Sequence, residues 1–269
     1  MLMNNLKSYY KLYIKEMFSY PMGFIISIFI DPLMVLVTIS LFKSIYAYQG
    51  VSSLAGYDLA QMIWYFAGTR FVWYFTYTYV DYTLSEGILS GDLSLILLKP
   101  TSIFSATLGE ALALRSAGIV CEFIPNFIVY TLFFPPSFMT VASFLRFLLC
   151  IALSFFLMFA INFLVGLSAF IFKSNYSMRN LKGILIALLG GANFPLDFYP
   201  EWIRNILNFL PFKYVFYVPL QTLVNREGTQ TLADYSMLIG VQLFWIILLF
   251  LLCRCLWHKS MKHFCAVGG

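Results

Sequence analysis

Four ionisable side chains interrupt stretches that are otherwise apolar: Asp31, Arg70, Glu122 and Arg146. A charge in such surroundings is costly unless it meets a partner, a cavity or water, so each marks a place where the fold must supply one. Asp31, followed by Pro32, either faces the protein interior as a pathway or packing group or lies shallow enough to be solvated. Arg70 stands among ten aromatics between Trp64 and Tyr82, Tyr74 among them. Those rings either pack and anchor, or form a wall along which an amphiphilic or glycosidic molecule slides. Asn162, the main polar group of the longest apolar run, suits an interhelical hydrogen bond better than a ligand contact. Asp31, Arg70, Tyr74 and Asn162 are thus the candidate pathway residues.

Catalysis needs groups that converge, and few are available. His258 and His263 are the two histidines and both lie in the C-terminal tail, so no histidine-based triad or HExxH zinc site forms within the apolar runs. No closely spaced carboxylate pair and no GxxxxGK[ST] loop is present, so the chain is not expected to be an enzyme or to hold ATP itself. The tail gathers Cys253, Cys255, His258, His263 and Cys265. Residues two apart on a helix diverge, and zinc-finger spacing is missing, so no metal or other cofactor is expected.

The elements that must position these groups follow from composition. Hydrophobic residues make up 61% of the 269 positions and charged ones 11%, with mean hydropathy +0.83. That is the composition of an all-α polytopic membrane protein, in which every backbone polar group is satisfied within helices. Six transmembrane helices are predicted, near 22–47, 59–80, 112–134, 141–172, 178–195 and 236–257, as a single domain over 1–269. Eleven lysines and arginines fall in the N-terminus, the second and fourth connections and the tail, against Lys43, Arg204, Lys213 and Arg226 on the other side. That asymmetry predicts both termini in the cytoplasm, and it directs the net charge of +5 to lipid headgroups rather than to nucleic acid. No cleaved leader is expected, because the first apolar run is long and follows a basic helix.

Between the spans, three segments carry most of the pattern. Residues 1–20 form an N-terminal amphipathic interfacial helix, with Lys7, Lys11 and Lys15 on one stripe and Leu6, Tyr10, Tyr13, Ile14 and Met17 on the other. Residues 81–100 should lie in the cytoplasm, broken by Gly87 and Gly91. With Ile88, Leu89, Leu93, Ile96, Leu97 and Leu98 they are too apolar for a solvated loop, so they rest on the membrane or enter a partner. A new amphipathic section, 101–115, leads into the third span, which holds Glu122 and Pro125. The chain turns at Pro135 and Pro136. The fifth span is short unless Arg179 and Lys182 snorkel at its inner end.

The third segment, 195–219, cannot be a span because of its prolines and charges. Glu201, Arg204, Asn205 and Asn208 fall on one side of an amphipathic helix and Trp202, Ile203, Ile206, Leu207, Phe209 and Leu210 on the other. With Pro200 at its first position and Pro211 as its stop, that helix is about 11 residues or 16 Å long. It is too short to cross a core of about 30 Å.

These features resemble the membrane subunits of type-2 ATP-binding-cassette exporters, and the resemblance covers essentially the whole chain. FPLDFYPEWIRNILNFLPFKYVFYVP is its most specific part, with Pro195, Pro200, Trp202, Pro211 and Tyr214 falling where those permeases have re-entrant outer helices between spans five and six. EGILSGDLSLILLKP is similar to their cytoplasmic coupling segment, in which Glu86, Gly87, Gly91, Asp92, Leu93, Lys99 and Pro100 are the matching positions. The resemblance implies a permease dimer with the same or a paralogous second permease, in a bacterial plasma membrane. It also implies two separately encoded ATPase subunits that bind ATP and Mg, and an amphiphilic substrate such as a drug, peptide, lipid or lipid-linked glycan. The alternative from another class is an ion-coupled secondary transporter or channel, for which Asp31 and Glu122 would be the only acidic groups well inside apolar runs; a structural or insertase-like membrane protein is a third.

Overall fold

The protein is described by a computed structural model covering residues 2–19, 22–98, 102–172 and 175–262. Helix α1 (Leu2–Ser19) precedes α2 (Met22–Gln49), and a two-residue hairpin, β1 (Ser53–Leu54) with β2 (Tyr57–Asp58), leads into α3 (Leu59–Thr76). Asp58 accepts a hydrogen bond from the Gln61 amide (2.7 Å) while its own amide donates to the Gln61 side chain (3.2 Å), so α3 starts on a reciprocal cap. Then follow α4 (Val80–Ser90), α5 (Leu93–Leu97), α6 (Ile103–Gly118) and α7 (Ile124–Phe133). The long α8 (Val141–Leu167), α9 (Tyr176–Leu189), the short α10 (Glu201–Leu207) and α11 (Tyr217–Leu223), and finally α12 (Leu232–Met261) complete the chain.

The centre of the fold is α8, against which α3, α4, α11 and α12 all pack. Its sequence is apolar on every side, and Phe147, Ile151, Leu157, Phe159 and Ala160 are sealed from solvent. By contrast α2 leaves most of its surface exposed, including Ile26, Phe29, Leu33 and Val37. An apolar helix surface of that extent belongs in lipid or against another chain. The fold is all-α and membrane-embedded, and among the described residues four helical runs are long and apolar enough to cross a bilayer: Ile25–Gln49, Ile103–Phe133, Val141–Phe170 and Leu232–Met261.

Several expectations are corrected. The third apolar run begins at Ile103 rather than near 112: α6 and α7 form one run from Ile103 to Phe133, joined through a π turn at Ile119–Phe123. Pro125 explains the turn, since it lacks an N–H and its ring would collide with the carbonyl four residues back. Gly87 does not break the segment 81–98 but sits inside α4; Gly91 is where it breaks, with φ +85°. The helix after Pro200 has seven residues, not 11, and Pro200 is its cap rather than its first turn. Ahead of Pro211 the chain tightens, with the Phe209 and Leu210 amides donating to the carbonyls three residues back.

The N-terminal helix also differs from expectation in what its apolar stripe touches. Lys7, Lys11 and Lys15 are exposed, but the opposite side lies on α6, where Tyr10 hydrogen-bonds Ser116 (3.0 Å). A Cβ on Gly109 of α6 would meet the Tyr9 Cβ at 2.9 Å and the Leu6 carbonyl at 3.1 Å, so the two backbones approach only because that residue is glycine.

Candidate functional site

Three of the four candidate pathway residues come together. Tyr74 on α3 donates to Asp31 Oδ2 on α2 (2.7 Å), and Arg70, one turn earlier on α3, places Nη1 3.7 Å from Asp31 Oδ1. Asn126 of α7 donates to the Tyr74 hydroxyl (3.2 Å) and to the Glu122 carbonyl (2.9 Å). Asp31 therefore faces the protein interior rather than solvent, its charge met by a guanidinium and a phenol. Arg70 remains 39% exposed, against 15% for Asp31, so the pair is open on one side. That side is a cavity of about 250 Å³ bordered by Thr38, Phe66, Thr69, Arg70 and Asn193. Residues from α2, α3 and the chain just after α9 thus make a polar recess in an apolar surface.

Asn162 lies elsewhere, in a second cluster that the linear pattern did not reveal. Its amide donates to Thr78 (2.8 Å) and its carbonyl oxygen accepts from Lys182 (2.8 Å), whose Nζ is also 2.5 Å from Asp81 Oδ2. Lys182 therefore does not snorkel to the surface; it is turned inward to a carboxylate on α4. Arg179, one turn before it, stacks over the Tyr82 ring at 4.9 Å. Asp81 and Lys182 are far apart in sequence, and neither stands in a motif. The signal that could have found them is a lysine and an aspartate each at the margin of an apolar run.

The segment 81–98 has two faces. Leu93 and Ile88 are buried, whereas Leu89, Leu95, Leu97 and Leu98 are exposed. Glu86 accepts from Tyr82 (2.6 Å) and Asp92 from Ser90 (2.8 Å), so both carboxylates are held by neighbours on the same short stretch. Lys99 and Pro100 lie outside the described residues.

In the 195–219 segment, Pro195, Pro211 and Tyr214 are buried while Pro200 and Trp202 are exposed. The Tyr214 carbonyl accepts from Ser154 (2.9 Å) and Gln242 (3.1 Å), tying this segment to α8 and α12. Asp197, which the sequence reading passed over, accepts from Tyr57 (2.5 Å) and Tyr217 (2.9 Å), and Gln221 also bonds the Tyr57 hydroxyl. Burial, with Tyr217 and Asp197 alongside, pushes the Tyr57 hydroxyl well above the usual phenol range, so it stays a donor.

The family model described as ABC-2 family transporter protein matches residues 33–268. The chain belongs to the ABC-2 transporter family. As an ABC-2 family member it is a multi-pass membrane transport component, a permease of an ABC transporter, and the family works with ABC ATPase partners in which ATP hydrolysis resides. No curated protein matches the chain. The family match starts at residue 33, so it includes Arg70, Tyr74, Asp81 and Lys182 and leaves out α1 and Asp31.

Proposed function

We propose that this ABC-2 family member is the permease subunit of an ATP-driven exporter. The observation that carries the reading is the build of α4 and α5. One face is anchored in the membrane domain through Leu93, Ile88 and the Asp81–Lys182 pair, while Leu95, Leu97 and Leu98 stand exposed on the other. A segment with that construction passes force from a docked partner to α8 and α9. Glu86, Gly87, Gly91, Asp92, Leu93, Lys99 and Pro100 are assigned to it as the coupling positions, with two ATPase subunits, holding ATP and Mg, docked beneath.

The transport path runs at a seam between two permeases, identical or paralogous. The half-open Asp31–Arg70 pair and its polar recess support this, because such a surface is unfavourable against lipid tails and favourable against a second protomer or water. Six crossings per chain are reached by counting α3 and α9 with the four long runs. With both termini cytoplasmic, in a bacterial plasma membrane, 195–219 then lies at the outer face as re-entrant helices. Pro195, Pro200, Trp202, Pro211 and Tyr214 form its gate. The aromatic wall of α3 suits an amphiphilic substrate such as a drug, peptide, lipid or lipid-linked glycan.

The test is coexpression with a Walker-type ATPase encoded beside it, followed by pull-down in mild detergent and measurement of transport and ATP hydrolysis. A complex that is lost on L95Q/L97Q, and hydrolysis uncoupled from transport by G91A or L93A, is the expected result. Tight coupling in the Gly91 and Leu93 variants would remove the coupling assignment. A protein that transports with no ATPase partner would be the ion-coupled alternative instead.

A further inference from the structure

A cavity of about 380 Å³ opens where α1 ends and α2 begins, bordered by Met17, Trp73, Tyr77, Tyr79, Arg115 and Glu122. Arg115 is 7% exposed; its Nη1 donates to the Trp73 and Tyr74 carbonyls (3.2 and 2.9 Å), and its buried Nε has no hydrogen-bond partner. Glu122 takes one hydrogen bond, from Ser27 to Oε1 (2.6 Å). Among the described residues neither charge has an oppositely charged group within ion-pair distance. Arg115 and Glu122 feel each other's charge along the cavity wall without reaching ion-pair contact, and a ligand that carries both charges meets each of them at contact distance.

We propose that this cavity binds the headgroup of a zwitterionic phospholipid of the phosphoethanolamine class. Its phosphate lies on the Arg115 guanidinium, which favours anionic oxygens, and its ammonium on Glu122 and the rings of Trp73, Tyr77 and Tyr79. The acyl chains run along the start of α2, where Met22, Ile25 and Ile26 are exposed beside the opening. A lipid source follows from that continuity between a cavity that holds two charged side chains among aromatic rings and an apolar helix surface. The inference concerns binding alone and stands apart from the transport reading.

Native mass spectrometry of the full-length protein in detergent, titrated with phosphatidylethanolamine or phosphatidylglycerol, tests it. Retention of phosphatidylethanolamine should be about tenfold tighter, the scale of one charge-assisted hydrogen bond. Glu122→Gln, which can still accept from Ser27, should bring the two lipids to parity, and Met17→Trp should block both by filling the cavity. Soluble glycerophosphoethanolamine should compete. Equal retention by the unaltered protein, an unchanged preference in Glu122→Gln, or binding of the soluble ester but not of the lipid would each overturn the proposal. Arg115→Gln is a weaker probe, because Arg115 also holds two backbone carbonyls.

Discussion

Lys182 Nζ lies 2.5 Å from Asp81 Oδ2, in a site where the two side chains are 14% and 8% exposed, and the contact joins α4 to α9. Asn162 adds a third group by accepting from the same ammonium. Removing one member of a buried pair leaves the other charge unmatched, at a cost of about 3–5 kcal/mol. Asp81→Asn and Lys182→Met should therefore each lower thermal stability in detergent strongly, and the double variant should recover much of the loss. Equal and additive losses in the cycle would show that the two groups do not act as a pair.

Arg70 and Asp31 form a looser pair at 3.7 Å, with Tyr74 completing the carboxylate's contacts. Arg70→Gln leaves Asp31 with the phenol alone, so transport should fall severalfold while folding survives, as judged by size-exclusion profile. Combining it with Asp31→Asn should restore stability without restoring transport. Full activity in Arg70→Gln would exclude the recess from the path.

Gly109 sets how closely α1 approaches α6. Gly109→Val forces its side chain against Tyr9 and the Leu6 carbonyl, an overpacking worth about 1–3 kcal/mol. Limited trypsin digestion should then cut faster at Lys7, Lys11 and Lys15. Unchanged cleavage would mean that α1 is held by the bilayer rather than by α6.

Tyr57 bridges the β-hairpin and the 195–219 segment through Asp197. Its hydroxyl is raised by burial first, then by Tyr217 and Asp197, so the folded state favours the protonated form more than the unfolded state does. That contribution is complete below the ordinary phenol value of about 10 and declines as pH rises beyond it. The stability difference between the unaltered protein and Tyr57→Phe should be constant from neutral pH to about 9 and shrink above about 10. A difference that already changes near pH 8 would assign the effect to another group.

Trp202, Ile206 and Phe209 are exposed on and just after α10, with Leu207 the buried anchor of that short helix. The proposed outer position places Trp202 at the level of the lipid headgroups. Fluorescence of a protein retaining only Trp202 should be quenched by brominated lipid more strongly with shallow than with deep labels. Quenching by an aqueous quencher alone would take the segment out of the interface.

Local sequence determined the parts of this protein that depend on neighbours along the chain. The helix of residues 2–19 with its lysine stripe, the break at Gly91 and the apolar runs of 141–172 and 236–257 are legible because helix periodicity, glycine conformation and hydropathy act over a few residues. The 195–219 stretch was legible as irregular for the same reason, though not the length of α10, which depends on how the chain tightens before Pro211. Family membership could be read as a resemblance because two motifs stand at fixed places among the apolar runs.

Only the tertiary structure decided which charges meet. Asp31 finds Arg70 and Tyr74 across two helices, Asp81 finds Lys182 across 101 positions, and Asp197 finds Tyr57 across 140. Hydropathy reports that such a group must be satisfied but not by what, since an apolar run has the same appearance whether it faces lipid or protein. That is why α8, among the most hydrophobic of the helices, proved to be the buried centre, while α2, equally suited by composition to crossing a membrane, lies with most of its surface bare.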